Sequence, residues 1–124
     1  MRIRILSATD VQTAVDPRAA IDAMRSAFAQ LSRGDARVPV RGRLDGRGTT
    51  LLMPAYLAAS GGLGAKIVSV FPGNAERGLP IVTGAVLLLD PDTGVPRALL
   101  DGTRLTALRT AAGSGLATDL LAPA

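Results

Sequence analysis

Apolar residues recur at helical spacing in two stretches of the chain. The first stretch lies between a helix start signal at Asp16-Pro17 and a stop signal at Gly34. Asp caps free N–H groups, Pro is tolerated at the first helical position, and Gly favours the left-handed conformation that ends a helix. The two apolar stripes, which we expect to face the core, are Ile21, Met24, Phe28 and Leu31 in the first stretch and Leu105, Leu108, Ala112, Leu116 and Leu120 in the second. Two principal helices are therefore predicted, the second capped by Asp101-Gly102-Thr103, with a brief third one from Val11 to Val15.

Shorter apolar runs, bounded by Gly, Pro, Asn and Asp, predict the strands. These are Arg2–Leu6, Arg37–Leu44, Thr49–Met53, Leu63–Phe71, Ile81–Leu89 and Val95–Leu100. The turn residues Asp45-Gly46-Arg47-Gly48 join the second and third strands into a hairpin, and Pro54 is predicted to end the third strand. The sum is an α+β domain over residues 1–124, with a mixed or antiparallel sheet of about six strands and two principal helices.

The strand that begins at Leu63 holds Lys66, the only lysine in the chain. Both faces of this strand are mostly apolar, because Lys66 alternates with Ile67 and shares its face with Val68 and Val70. A strand of this kind is usually central and covered on both sides. Desolvation lowers the pKa of a lysine and makes it a possible proton donor or acceptor near neutral pH. The alternative is that Lys66 lies near a strand end and reaches solvent.

The composition excludes several kinds of chemistry. The chain of 124 residues has no cysteine and no histidine, so it has no disulfide, no thiol nucleophile and no Ser-His dyad. Its acidic residues show no metal-ligand spacing such as a calcium loop, and no metal site is predicted. The length is that of one domain with a real core.

The formal charge of +4 comes from thirteen arginines and one lysine against ten acidic residues. The densest basic cluster, Arg37 to Arg47, raises the question of nucleic acid binding. The other arginines are scattered, and the aromatic residues available for stacking are limited to Phe28, Tyr56 and Phe71, which disfavours this partner. Without a signal peptide or an apolar run of about 20 residues, the default expectation is a cytoplasmic protein that binds neither membrane nor nucleic acid.

The basic residues suggest one group of side chains that could bind and act on a substrate. Lys66 could meet Arg109 from the last helix and one arginine from the early extended segment, which offers Arg37, Arg41 and Arg43. Two guanidinium groups around a desolvated lysine suit a small substrate with a carboxylate, because arginine binds carboxylate bidentately. Arg109 could equally lie on a solvated helix face.

Several segments of the chain resemble the N-terminal half of the ornithine cyclodeaminase/mu-crystallin family. They are Met53–Tyr56, Leu63–Asn74, Arg77–Pro80, Ala85–Asp90, Thr93-Gly94, Leu100–Thr103 and Leu105–Ala112. The resemblance covers nearly the whole chain, and its most specific parts contain Lys66 and Arg109.

The resemblance implies an NAD(P)-dependent homodimeric enzyme of amino-acid metabolism. Members include ornithine cyclodeaminase, alanine dehydrogenase of archaeal type, and ketimine or pyrroline-carboxylate reductases, and their N-terminal domains bind the substrate and pack sheet to sheet. By the same resemblance, Lys66 is the acid/base residue, and Arg41 and Arg109 bind the α-carboxylate of the substrate. Arg41 is chosen over Arg37 and Arg43 by its distance before Met53-Pro54. Thr110 would face the cofactor phosphates.

Two departures from the family pattern affect these expectations. Ile81-Val82-Thr83 stands where members commonly carry a polar run resembling Thr-His-Gln, which bears on substrate and cofactor contacts. The family continues into a dinucleotide-binding domain, whereas this sequence ends at Leu121–Ala124 without a Gly-x-Gly-x-x-Gly loop. We therefore expect a fragment, inactive on its own, that corresponds to the substrate-binding and dimerisation domain. The alternative is a non-catalytic module for small-ligand binding or dimerisation.

Overall fold

The computed structural model describes residues 1–123, whose backbone is organised around one sheet of seven strands. The strands are β1 (Arg4–Leu6), β2 (Ala36–Arg37), β3 (Gly42–Asp45), β4 (Thr49–Leu57), β5 (Gly62–Val70), β6 (Val82–Leu89) and β7 (Pro96–Asp101). Their order is β1-β7-β6-β5-β4-β2, and β3 pairs with the first half of β4. Among the strand pairs of residues 1–123, only β1 and β7 are parallel. The predicted α+β class with a mixed sheet is confirmed, and the segment predicted as one strand from Arg37 contributes two short strands.

The prediction that Pro54 ends its strand is wrong, because β4 continues through Pro54 to Leu57. On one side, Pro54 lies opposite Ala65 of β5. On the other side, β3 pairs with β4 only as far as Leu52, and β2 pairs only with Tyr56 and Leu57. Pro54 therefore lies in the gap between two short edge strands, where a missing N–H costs the sheet little.

The two principal helices begin at the predicted signals and the first of them ends at its predicted stop, whereas the brief helix before them begins three residues before the predicted Val11. Helix α1 (Ala8–Ala14) follows Ser7, which forms a reciprocal capping box with Asp10. Helix α2 (Pro17–Arg33) is capped by Asp16 and ends at Gly34 in the left-handed conformation. Helix α3 (Gly102–Leu121) begins after Asp101, and a 3₁₀ helix (Pro72–Arg77) lies in the loop after β5. None of the helices within residues 1–123 is long and apolar enough to cross a membrane.

The two faces of the sheet differ in what covers them. One face of the sheet is covered by helices. The Lys66 side chain on this face reaches α3, and α1 and α2 contact α3 in turn. The opposite face exposes large apolar side chains, a set that we call the open apolar face. By alternation and register it consists of Ile5, Leu44, Leu52, Ile67 and Leu99. The expectation that the strand of Lys66 is central is correct, but within the described residues helices cover only one of its faces.

The helical stripes are only partly buried. The most buried apolar residues are the small Ala20, Ala98 and Ala112 together with Val11 and Leu116. The predicted core residues Phe28 and Leu31 are 49% and 50% exposed, and Leu120 is 60% exposed. A Cβ atom on Gly115 would lie 2.9 Å from the Ile21 side chain, so the close α2–α3 contact is made by the first half of α2. Helix α2 also contacts β2, and Phe28 and Leu31 in its second half stay half exposed.

The second half of α2 is held by a buried amide that the apolar pattern did not single out. Gln30 is 1% exposed and contacts the turn between β4 and β5. Its Nε2 donates to Ser60 Oγ at 3.2 Å and to Ser26 Oγ at 3.3 Å, and its Oε1 accepts from the Ala59 backbone N–H at 3.1 Å. A polar side chain is tolerated in such a place because its hydrogen-bonding groups are paired.

We expect Gln30→Leu to lower the free energy of unfolding by about 1–3 kcal/mol, because it leaves the Ala59 N–H and two serine hydroxyls without their partner. Urea denaturation measures the change. Gln12→Leu on the exposed side of α1 is the matched control and should change stability by less than about 0.5 kcal/mol. Equal effects of the two substitutions would show that the Gln30 hydrogen bonds do not stabilise the domain.

Candidate functional site

Lys66 lies in the middle of β5, between Met53 of β4 and Val86 of β6. The alternative of a lysine near a strand end is therefore not what the structure shows. The side chain is partly buried, and its Nζ donates a hydrogen bond to Thr106 Oγ1 on α3 at 3.4 Å. The amine is thus held between the sheet and the helix.

The start of α3 fixes the distance between the helix and Lys66. Gly102 is buried against β6, and a Cβ atom there would lie 2.7 Å from the backbone of Gly84 and of Ala85. The Gly84 N–H donates to Thr103 Oγ1 at 3.2 Å, and Asp101 caps the helix by accepting from the Arg104 N–H. These contacts place Thr106, one turn further along the helix, over Lys66.

Positive charge surrounds the Lys66 amine. Partial burial lowers the pKa of Lys66, and the guanidinium groups of Arg109 and then Arg41 lower it further. Each of these causes disfavours the ammonium form. No salt bridge within residues 1–123 involves Arg41 or Arg109. The three predicted residues Lys66, Arg41 and Arg109 therefore come together in one basic cluster, whose positive charge no carboxylate offsets in the described part of the chain.

The other two arginines of the early segment are placed differently. Arg43 forms an ion pair with Asp45, in which its Nε lies 2.8 Å from the carboxylate. Arg37 lies opposite Tyr56 in β2, and alternation puts that position on the face away from Lys66. Of the three arginines, Arg41 is the one whose charge acts on Lys66.

An open cleft of about 250 Å³ lies beside Lys66 on the same face of the sheet. Its side-chain lining is apolar apart from Lys66, and comes mainly from Met53, Ala55, Leu57, Val86 and Leu88. A larger hollow of about 920 Å³ at the N-terminus is lined by Met1 to Arg4 with Arg97 and Ala98, and includes none of the basic cluster. The first cleft is the one where a small apolar group would touch Lys66.

Thr110, predicted to face cofactor phosphates, follows Arg109 on α3. Its side chain is exposed, and its hydroxyl donates to the Thr106 carbonyl at 2.7 Å. This bond leaves the hydroxyl oxygen able to accept a hydrogen bond, and the role of Thr110 stays a prediction.

The segment that departs from the family pattern, Ile81-Val82-Thr83, lies at the start of β6. All three of its residues are exposed.

The arrangement suits a small acid with a reactive nitrogen. Two arginines can bind a carboxylate, and a lysine of lowered pKa can give or take a proton beside it. Among residues 1–123, no group of three or more acidic side chains is arranged to hold a metal ion. The sequence reasoning gave no role to Thr106, although its spacing of three before Arg109 puts both on one helix face.

Comparison with known proteins identifies the family of the chain. The profile of the ornithine cyclodeaminase/mu-crystallin family matches residues 1–124. The chain is 37% identical to an alanine dehydrogenase of Archaeoglobus fulgidus over 123 residues, which are 98% of this chain and 38% of the enzyme.

Two solved structures show the same fold at high similarity. Thermococcus litoralis Δ(1)-pyrroline-2-carboxylate reductase, in complex with NADH and L-proline, is 41% identical with a TM-score of 0.91, over 98% of this chain and 38% of that chain. A dimeric archaeal alanine dehydrogenase with bound NAD is 36% identical with a TM-score of 0.93, over 99% of this chain and 38% of that chain. The sequence thus spans about 38% of the length of these relatives. On the family match along its whole length, the chain belongs to the ornithine cyclodeaminase/mu-crystallin family.

Proposed function

We propose that this chain is the substrate-binding and dimerisation domain of an NAD(P)-dependent enzyme that acts on a small α-amino or imino acid. The reaction class is amino-acid dehydrogenation, imine reduction or cyclodeamination. The observation that carries the proposal is the cluster of Lys66, Arg41 and Arg109 beside an apolar cleft. The names of the relatives, which include alanine dehydrogenase and pyrroline-carboxylate reductase, support the same class.

In this proposal, the two arginines bind the α-carboxylate and fix the substrate against the sheet. The guanidinium forks of Arg41 and Arg109 stay charged and pair with the two carboxylate oxygens. The carboxylate in turn offsets the positive charge that these arginines impose on Lys66. Binding of the substrate carboxylate therefore lowers the electrostatic repulsion among Lys66, Arg41 and Arg109.

Lys66 is the proton-transfer residue. When an amino acid is oxidised to its imine, the neutral amine of Lys66 takes a proton from the substrate nitrogen. In the reverse direction, the ammonium of Lys66 returns that proton. The lowered pKa of Lys66 raises the share of the neutral amine at a given pH, which favours its role as a proton acceptor. The nicotinamide, when bound, supplies or accepts the hydride at the α-carbon.

The described residues form the substrate side of such a site only. Strand β7 enters α3 directly at Asp101-Gly102, with no Gly-x-Gly-x-x-Gly loop between them. Such a loop is what holds the pyrophosphate of a dinucleotide at a helix start. Thr110 is the one residue of this chain that we assign to the cofactor phosphates, and we expect the 124-residue chain by itself to be inactive.

The open apolar face is assigned to a second copy of the chain. Ile5, Leu44, Leu52, Ile67 and Leu99 are all more than a third exposed. A contiguous apolar surface on a sheet is typical of an interface between proteins. The archaeal alanine dehydrogenase that this chain resembles is a dimer, which supports the assignment.

A non-catalytic module that binds a small ligand or dimerises is the second candidate function. The cleft at Lys66 and the open apolar face are both present without a dinucleotide loop in residues 1–123, which favours it for the chain alone. The 124-residue chain, mixed with Δ1-pyrroline-2-carboxylate and NADH or NADPH, should show no NAD(P)H oxidation at 340 nm. Turnover in this assay would rule out the non-catalytic module.

Substitution of Arg109 by lysine tests the carboxylate site. Arg109→Lys keeps the charge but loses the bidentate fork, so we expect binding of L-proline to weaken by about tenfold or more. An NMR titration of the 124-residue chain gives the Kd. Arg104→Lys, at an equally exposed position of the same helix whose charge does not act on Lys66, should leave the Kd unchanged. Equal affinities of the Arg109→Lys chain and the unmodified chain would contradict the assignment of Arg109.

Substitution of Ile67 tests the dimer. An aspartate at this position puts a charge in the middle of the open apolar face, so we expect Ile67→Asp to weaken self-association by about tenfold or more, as measured by sedimentation equilibrium. Val95→Asp is the matched control, because Val95 and Ile67 are both 47% exposed and Val95 lies between β6 and β7 outside that face. A monomeric unmodified chain, or equal association of the two variants, would overturn the assignment.

A further inference from the structure

We propose that Thr106 is a positioning residue for Lys66, whose amine its hydroxyl holds in place whether or not that amine carries a proton. The placement stands on geometry alone. Its importance for catalysis rests on the proposed function, in which Lys66 transfers the proton.

The contact with Thr106 is the only side-chain hydrogen bond of Lys66 within residues 1–123. It joins the central strand β5 to the first turns of α3. The start of the helix is joined to the sheet at this point, because Asp101 pairs with Ala85 as the last residue of β7 and Thr103 Oγ1 accepts the Gly84 N–H. The hydroxyl of Thr106 is therefore presented to the amine from a rigid support.

The surroundings of Lys66 explain why the amine needs a partner. Its neighbours in the sheet, Met53 and Val86, offer no hydrogen-bonding side chain. The charged groups that act on it are Arg109 from α3 and Arg41 from the segment before β3, and both repel an ammonium group. Without Thr106, the flexible side chain would turn toward the open cleft and water.

A hydroxyl is suited to this role in a way that a carboxylate is not. The oxygen of threonine accepts a hydrogen bond from an ammonium group, and its O–H donates to the lone pair of a neutral amine. The contact therefore persists through both halves of a proton transfer. A carboxylate would strongly favour the ammonium form and would also pair with Arg109.

The single lysine of this chain makes the test direct. With 13Cε-labelled lysine, one NMR signal reports the protonation of Lys66 in the 124-residue chain without substrate or cofactor. A bond to the ammonium form is charge-assisted and stronger than one to the neutral form. Removal of the hydroxyl by Thr106→Val should therefore move the titration midpoint of Lys66 further down. Thr106→Ser, which restores the hydroxyl, should return the midpoint toward that of the unmodified chain.

Thr118→Val is the matched control, because Thr118 lies on the same helix and its hydroxyl donates to the Ser114 carbonyl. We expect this variant to leave the midpoint unchanged. Thr106→Ala gives a second loss of the hydroxyl should the valine variant not fold, which its amide spectrum shows. An unchanged midpoint in both Thr106→Val and Thr106→Ala, or a serine variant that titrates like valine, overturns the proposal.

The outcome is separable from that of the proposed function. If Thr106→Val leaves the Lys66 midpoint unchanged while Arg109→Lys weakens L-proline binding, the role of Thr106 is wrong and the carboxylate site stands. If the midpoint moves as expected but L-proline does not bind the unmodified chain, the positioning contact exists and the proposed substrate class is wrong.

Discussion

The close approach of α3 to the sheet at Gly102 is the constraint on which the rest of the site depends. A side chain at Gly102 would collide with backbone atoms of Gly84 and Ala85, which belong to a β-strand and cannot give way. Because Asp101 still pairs with Ala85 as the last residue of β7, the chain turns into a helix without any intervening loop. The height of α3 above β5 is thereby set within one turn of Thr106. Arg109 follows one turn later on the same helix face, within range to lower the pKa of Lys66.

The basic cluster is costly for the isolated domain. A lysine whose pKa is lowered in the folded state binds its proton more weakly there than in the unfolded chain, so at neutral pH its ammonium form opposes folding. That cost is fully present below the folded pKa and disappears as the pH rises through the ordinary lysine range. Electrostatic repulsion of this kind is typical of binding sites, where the ligand supplies the missing counter-charge. A carboxylate between Arg41 and Arg109 would be such a counter-charge.

The packing of the helices on the sheet leaves apolar surface exposed in two places. The open apolar face lies behind Lys66, and the exposed halves of Phe28 and Leu31 lie on α2. The buried core is correspondingly small and rich in alanine, and the second half of α2 relies on the amide of Gln30. Within residues 1–123 the sheet has one helical layer and one uncovered apolar face, whereas a sheet that is apolar on both faces is normally covered on both sides.

The sequence by itself determined the local structure and most of the strand boundaries. Asp16-Pro17, Gly34 and Asp101 mark helix ends through capping and backbone preference, which act within a few residues and need no tertiary context. The hairpin at residues 45–48 was predictable for the same reason. The family resemblance added the roles that we propose for Lys66, Arg41 and Arg109, and in the structure both arginines act on the Lys66 amine.

Tertiary structure decided whatever depends on distant partners. Pro54 stays in its strand only because two separate edge strands leave a gap beside it. Phe28 carries the helical stripe of a core residue but is half exposed, because its burial depends on where α3 lies. Gln30 and Thr106 are polar, so the pattern of apolar residues does not mark them. Their hydrogen-bond partners Ser60 and Lys66 are 30 and 40 residues away along the chain. Hydrogen bonds between such residues exist only once the sheet and the helices have been brought into contact, so periodicity along the chain could not reveal them.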